Sequence, residues 1–453
     1  MLTIAAGQEL APFSSFDFSG GVVAAVSGGS DSVALLLLLK SHLDRHYPDA
    51  RLLAVTVDHA LRPDSAAEAE GVARLCESRG IAHRTVVWRG PKPSAGIPAA
   101  AREARYHLLA QAGHEAGLSI VATGHTADDQ AETIWMRQAR GSDADALGLA
   151  GMAPATLREG RVWIVRPLLE IRRATLRDLL RNADVGWIDD PTNSDRRFER
   201  PRLRAAGNDD RMAEALSTAR RAARARLDLN SRAGKLVQAL ADMPVPGLVR
   251  LDRKFVNASD RDAALHALRL LLAVTGGNMF PPSRDRVDDL LARLSTGRRM
   301  RATLSRCVID SRGTGIFLHR EARDLPPAGR AAAGQVWDGR RRIKLSAIKP
   351  SLIVAPRGEE AVGKIAALPA EVPESIAAAA LAAEPVLLDG ETGLLATESR
   401  QRGWCEPVMA PWHLFLSCFD LTLARAISKM VGAPAIPDPP LSGPIAVGPC
   451  VNA

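Results

Sequence analysis

The segment Ser27-Gly28-Gly29-Ser30-Asp31-Ser32 joins a short β-rich run to a helical one. Its glycines let backbone N–H groups approach an anion, its hydroxyls add donors, and a helix N-terminus adds a favourable dipole. That is the chemistry of a pyrophosphate cradle. The same six residues would also serve as a tight strand-to-helix turn with Ser and Asp as ordinary N-caps. No G-x-x-x-x-G-K-[ST] segment occurs, which disfavours γ-phosphate transfer through a Walker A loop. A second polar concentration, Gly124-His125-Thr126-Ala127-Asp128-Asp129-Gln130-Ala131-Glu132-Thr133, places three carboxylates beside a histidine at the start of an expected helix. Asp128, Asp129 and Glu132 suit Mg²⁺, held directly or through water, or else are acids matched to a helix dipole. His125 reads as a nucleotide or metal contact, or as a core residue.

Arg102 and Arg105 lie three apart on an expected helix and share a face. One can pair with a carboxylate while the other offers its planar fork to a phosphate or an RNA oxygen. His59 and Arg62 follow the second strand and either contact a nucleoside or RNA or are plain loop residues. Basic clusters recur at Arg196–Arg204, Arg220–Arg226, Arg298–Arg301 and Arg340-Arg341-Arg342. Runs of this kind are often solvated faces, but their number and a formal charge of +8 favour an anionic partner such as nucleic acid.

The elements that must position these residues alternate along the first part of the chain. Strands are expected at Val22–Val26, Leu52–Val57, Thr85–Trp88 and Ile120–Ala122, with helices at Val33–Lys40, Ala66–Arg79, Ala99–Ala116 and Asp128–Ala139. Alternation of this kind implies an α/β fold with a parallel sheet, whose ligand site lies beyond the carboxyl ends of the strands. The loops Ser27–Ser32, Asp58–Arg62 and Gly124–Asp129 follow the first, second and fourth strands. Amphipathic patterns at Met212–Arg226, Arg261–Val274 and Pro282–Leu294 predict a mainly helical region over 208–323, closing on a hairpin near Arg301–His319. The pattern breaks at Leu325–Gly329. A smaller C-terminal domain is expected over 330–453.

S-G-G-x-D-S is the signature of the PP-loop (N-type) ATP pyrophosphatases. The remaining motifs narrow the resemblance. Asp58-His59-Ala60-Leu61-Arg62, Ala101-Arg102-Glu103-Ala104-Arg105-Tyr106, Gly124–Thr133, Arg166-Pro167-Leu168-Leu169 and Asp190-Pro191-Thr192-Asn193 stand in the order found in tRNA(Ile)-lysidine synthetases. The chain resembles that family closely from Gly20 to Arg204 and loosely thereafter. The resemblance implies a PP-loop domain over 1–207, a tRNA-binding helical domain, and a C-terminal domain that contacts the acceptor stem. It also implies ATP and Mg²⁺, with Ser27, Gly28, Gly29, Ser30, Asp31, Ser32 and His125 around the nucleotide and Asp31 and Asp129 serving the metal. Arg105 and Arg200 join those two acids in catalysis, while Arg62, Arg102 and Arg204 face the substrates. These would be free lysine and tRNA(Ile) with a CAU anticodon, whose wobble cytidine is adenylated and then joined to lysine. Homodimerisation is common in the family. One departure stands out: Pro201 occupies a position where asparagine is common, removing a side-chain amide and a backbone donor.

Three rivals follow from the same residues. A PP-loop tRNA thiolase usually needs paired cysteines, whereas Cys76, Cys307, Cys405, Cys418 and Cys450 are scattered. A small-molecule amidotransferase or synthetase would leave the basic helical region without a purpose. A non-catalytic tRNA-binding protein would not need Asp31, Asp129 and Arg105 together. The longest aliphatic run, Val33–Leu39, is too short to span a bilayer and no export signal is recognisable, so a cytoplasmic location is expected.

Overall fold

The computed structural model describes residues 8–61, 64–140, 146–189, 202–203, 207–345, 351–359, 368–400 and 403–443. The chain divides into two compact units. The first comprises 1–226 with 415–419 and 437–453; the second comprises 227–414 with 420–436.

The first unit is built on the expected alternation. It runs β1 (Val22–Ala25), α1 (Ser30–His46), β2 (Leu52–Asp58), α2 (Ser65–Glu77), β3 (Ala82–Val87), α3 (Ile97–Glu115), β4 (Ile120–Thr123) and α4 (Ala127–Ala139). An antiparallel pair, β5 (Ala155–Arg158) and β6 (Val162–Val165), precedes α5 (Arg173–Asn182). Strands β3, β2, β1, β4 and β6 pair in parallel, in that spatial order. The near-continuous apolar character of β1, β4 and β6 is what a parallel sheet covered on both faces demands. Val23, Val121 and Ile164 pack with Tyr106 and Leu109 of α3 in one buried cluster. Val33–Leu39 of α1 is buried throughout, a core helix as its uninterrupted aliphatic run requires.

From β1 the chain moves outward to β2 and β3, and α3 then carries it back to β4 on the other side of β1. Strand order therefore reverses between β1 and β4, and the loops after these two strands diverge at a crevice suited to a ligand. They also touch. A Cβ on Gly124 would stand 2.8 Å from the Asp31 carbonyl oxygen, so only glycine lets the two turns approach this closely. The distal strand Phe415–Ser417 completes the sheet antiparallel to β5. The helix α6 (Asp209–Leu240) sets Met212, Ala215 and Ala219 against Ala131, Ile134 and Trp135 of α4.

The second unit differs from expectation. The helices Arg261–Gly276 and Arg284–Ser295 are present, as is the hairpin, formed by Cys307–Arg312 and Gly315–Arg320. That hairpin belongs to a five-stranded antiparallel sheet with Met300–Leu304, Leu248–Leu251 and Ala241–Val245. The break at Leu325–Gly329 does not divide the chain. Val372, Ile376, Ala377 and Ala380 share a core with Leu248 and Phe317, so residues on both sides of the break are buried together. By packing, the two units part at 226/227, within α6.

Candidate active site

The turn after β1 is held from within. Ser32 Oγ donates to the Gly29 carbonyl at 2.9 Å and accepts from the Ser27 N–H at 3.1 Å. Gly28 adopts φ +86°, and a Cβ there would lie 2.6 Å from Ile188 Cδ1. The Ile188 N–H donates to the Gly28 carbonyl at 2.9 Å, so the segment following α5 lies against the turn. Gly29 caps α1 with no side-chain bond. A Cβ on Gly29 would meet no protein atom nearer than 3.8 Å, so packing alone does not demand glycine there. Its absence of side chain keeps the approach to the N-terminus of α1 open, which fits an anionic ligand.

Asp31, in the first turn of α1, and Asp129, in the first turn of α4, meet on one guanidinium. Arg173 Nε donates to Asp31 Oδ2 at 2.7 Å and Nη2 donates to Asp129 Oδ1 at 3.1 Å. Its Nη1 lies 3.9 Å from Glu132 Oε1. The Arg173 backbone N–H donates to Asp128 Oδ2 at 2.8 Å, so an acid of α4 caps the start of α5. Asp129 also closes a capping box. Its Oδ2 accepts from Thr126 N–H and Oγ1, both at 2.9 Å, and Thr126 Oγ1 accepts the Asp129 N–H at 3.4 Å. The acids at the head of α4 thus serve their own helix and reach α5 at the same time.

Burial raises the pKa of Asp31, and neighbouring Asp129 adds to this against the opposing Arg173. Burial opposes the charge of Arg173, but Asp129 and Asp31 outweigh it and raise its pKa. Arg177, one turn along α5, donates from Nε to Ser30 Oγ at 3.3 Å and from Nη2 to Asp189 Oδ1 at 3.0 Å.

Sequence reading missed Arg173 and Arg177. The signal was a helix with Arg172 at its N-cap and Arg173 opening its first turn with no acid, against the dipole, shortly after the Arg166–Leu169 motif.

His125 Nδ1 and Thr123 Oγ1 are hydrogen-bonded at 2.9 Å, which fixes the ring next to the head of α4. Arg105 sits elsewhere: its guanidinium carbon is 5.3 Å from the Tyr106 ring centroid, and its charge helps lower the pKa of His59, after the larger effect of burial. His59 meets Trp88 edge to face at 6.0 Å. Among the described residues no hydrogen bond or ion pair joins Arg105 to Asp31 or Asp129. Arg102 Nη2 donates to Tyr106 Oη at 3.4 Å. Glu103 in the same motif is structural, bound by Arg158 at 2.5 Å and 3.1 Å. Arg166 is also structural, donating to the Ala153 carbonyl at 2.8 Å and Thr156 Oγ1 at 2.9 Å. Arg62, Arg200 and Arg204, together with Asp190–Asn193, lie outside the described residues.

Of the basic clusters, Arg221, Arg224, Arg298, Arg299 and Arg301 are exposed. The cluster Arg340-Arg341-Arg342 is corrected by the structure. Arg340 and Arg341 are buried and committed to Asp338 and Glu384, so they form no surface for RNA. No helix among the described residues is long and apolar enough to cross a membrane.

Comparison with known proteins accords with this geometry. Residues 5–208 match the PP-loop domain family. The chain is 52% identical over 440 residues to the tRNA(Ile)-lysidine synthase of Mesorhizobium japonicum, covering 95% of this chain and 96% of that one. It is 38% identical over 431 residues to that of Brucella canis, covering 91% and 94%. A structural likeness to the U34-tRNA thiolase NcsA from Methanococcus maripaludis, at TM-score 0.40 and 18% identity over 46% of this chain and 73% of that one, is too slight to bear on function. With its phosphate turn, its paired acids and close similarity over nearly its whole length, the chain belongs to the tRNA(Ile)-lysidine synthase family.

Proposed function

We propose that this protein is a ligase that uses ATP to adenylate the wobble cytidine of tRNA(Ile) bearing a CAU anticodon and then joins free lysine to that base. The 2-carbonyl oxygen of the cytidine attacks the α-phosphate and pyrophosphate leaves. The ε-amine of lysine then displaces AMP, giving lysidine and changing the codon read from AUG to AUA. Adenylation is needed because a carbonyl oxygen leaves poorly until it is a phosphate ester. The reaction belongs to the cytoplasm, where tRNA and ATP are both present.

The observation that carries this reading is the convergence of Asp31 and Asp129 on one cation beside the Ser27–Ser32 turn. Two carboxylates suit Mg²⁺ shared with substrate phosphates, an ion that usually keeps water and phosphate among its ligands. No group of three or more His, Cys, Asp and Glu among the described residues is placed to hold a metal unaided, which accords with a shared ion. Asp31 and Asp129 would hold it, and when bound it neutralises charge on the departing pyrophosphate. Ser27, Ser30, Ser32 and the backbone of Gly28 and Gly29 cradle the phosphates. His125 borders the nucleotide, and Arg200 and Arg204 steady phosphate. Arg62, Arg102 and Arg105 face the RNA, the last in the corner formed with His59, Trp88 and Tyr106. Positioning and charge neutralisation at the α-phosphate supply most of the rate enhancement.

The test follows labelled lysine into RNA while AMP and pyrophosphate are measured, with purified protein and tRNA(Ile) bearing CAU. Lysine should enter only with ATP and this tRNA, and Asp31→Ala should lower the rate by roughly 10³-fold or more. Pyrophosphate without lysine transfer would keep the adenylation and overturn the acceptor, as for a thiolase. Release of neither would favour a tRNA-binding protein without catalysis.

A further inference from the structure

Arg173 is an expensive residue where it stands. It is largely buried, and it begins a helix, where the dipole disfavours a cation. The start of α5 gains nothing from a guanidinium, since its first N–H is already held by Asp128. What offsets the expense is the set of carboxylates it meets: Asp31 at 2.7 Å, Asp129 at 3.1 Å and Glu132 at 3.9 Å. The remaining oxygens of the first two acids are already used. Asp31 Oδ1 accepts from Ser30 Oγ at 3.1 Å, and Asp129 Oδ2 accepts from Thr126. The oxygens still directed between α1 and α4 are therefore those that Arg173 holds. Without it, Asp31 and Asp129 would face each other in a largely buried corner with the cation between them gone, which like-charge repulsion and desolvation both oppose.

We infer that Arg173 is a resident counter-cation that competes with divalent metal for Asp31 and Asp129, so that metal enters together with ATP, whose phosphates receive the displaced guanidinium. This rests on the reading of Asp31 and Asp129 as the metal acids. The fork that now spans two carboxylates is equally suited to two phosphate oxygens, and the exchange conserves the number of charge-assisted bonds made by Arg173. A free divalent ion offers no such replacement, because binding it would strand a buried guanidinium. The ATP-free enzyme should therefore take up metal poorly although it carries the acids to bind it. Arg173 is on this account a positioning residue, acting on substrate loading through the two acids.

The test uses full-length protein without ATP and Mn²⁺ as the probe, with free Mn²⁺ read by electron paramagnetic resonance. Arg173→Gln should bind one Mn²⁺ tighter than wild type by about tenfold or more, because the competing charge is gone. Adding Asp31→Asn to that variant should abolish the gain. Arg173→Lys keeps a charge but cannot fork across both acids, so its affinity should fall between the two. That milder variant decides the matter if thermal melting shows Arg173→Gln to be unfolded. Equal or weaker Mn²⁺ binding by the folded substitution would overturn the inference. A separate measurement of Mn²⁺·ATP binding keeps the underlying reading distinguishable. If Asp31→Asn leaves Mn²⁺·ATP affinity unchanged in the wild-type background, the metal acids have been misassigned and the inference falls with them. If Asp31→Asn weakens it but loss of Arg173 tightens nothing, only the role of Arg173 is wrong.

Discussion

Two networks of acids and arginines can be set side by side. In the first unit Asp31, Asp129 and Glu132 gather around Arg173 in a crevice at the carboxyl ends of parallel strands. In the second, Asp338 accepts from Arg306, Arg320 and Arg340, while Glu384 accepts from Arg340 at 2.7 Å and Arg341 at 2.6 Å. The first has more acids than arginines, and Asp31, Asp129 and Arg173 keep partial access to solvent while Glu132 is buried behind them. The second has more arginines than acids; Arg320, Arg340 and both acids are buried, the Asp338 side chain wholly so, and only its Arg306 reaches the surface. Its surplus donors end on backbone carbonyls: Arg320 on Arg323 at 2.9 Å and Asp324 at 3.0 Å, and Arg340 on Ala383 at 2.5 Å. A network that finishes its own bonding holds a fold together; one left acidic and reachable is prepared for something brought to it.

Exchanging the damage between the two networks would break that comparison. Asp31→Asn should remove adenylation while thermal unfolding stays close to wild type. In the second unit Asp338→Ala would take the shared carboxylate from the buried Arg320 and Arg340 and should cost about 3–5 kcal/mol, read from the urea midpoint of that unit's transition. If Asp338→Ala were neutral, this network would not be what holds the unit. A smaller effect is expected at the phosphate turn. Gly28→Ala forces a side chain into φ +86° and against Ile188, costing roughly 1–2 kcal/mol and weakening ATP retention in equilibrium dialysis.

The smallest effect is a pH dependence near Arg102 and Arg105. Burial works against ionisation of Tyr106, but Arg166, Arg105 and Arg102 outweigh it and bring its pKa down to about 8. A folded-state pKa below that of the unfolded chain means that the stabilisation is fully present above about pH 10 and is lost as pH falls through about 8. Wild type should therefore gain on Tyr106→Phe as pH rises between these limits. With only two tyrosines in the chain, ultraviolet titration should show the difference directly.

The first unit was legible because its parallel strands are apolar on both faces and its helices obey a separate period. Each strand and helix expected between Val22 and Ala139 is present within a few residues. That Asp31 and Asp129 would stand near each other was legible for the same reason, as their loops follow β1 and β4. Arg173 was not, because its meaning lies in contacts 142 and 44 residues away. Arg340 and Arg341 were misread as a surface because a run of three arginines gives no hint that Glu384 will be buried beside it. The strands Ala241–Val245 and Leu248–Leu251 are short and carry a register shift, so their alternation is too weak to compete with the helical pattern around them.

The strand Phe415–Ser417 bears on how the protein is made. It covers β5, and Phe415 stacks on Arg158, whose guanidinium carbon lies 4.6 Å from the ring centroid. During synthesis the nucleotide-binding sheet must therefore wait with its β5 edge unpaired while more than two hundred further residues are translated. Nascent chains released before residue 417 should be prone to edge-to-edge association, although every residue assigned here to ATP has already emerged.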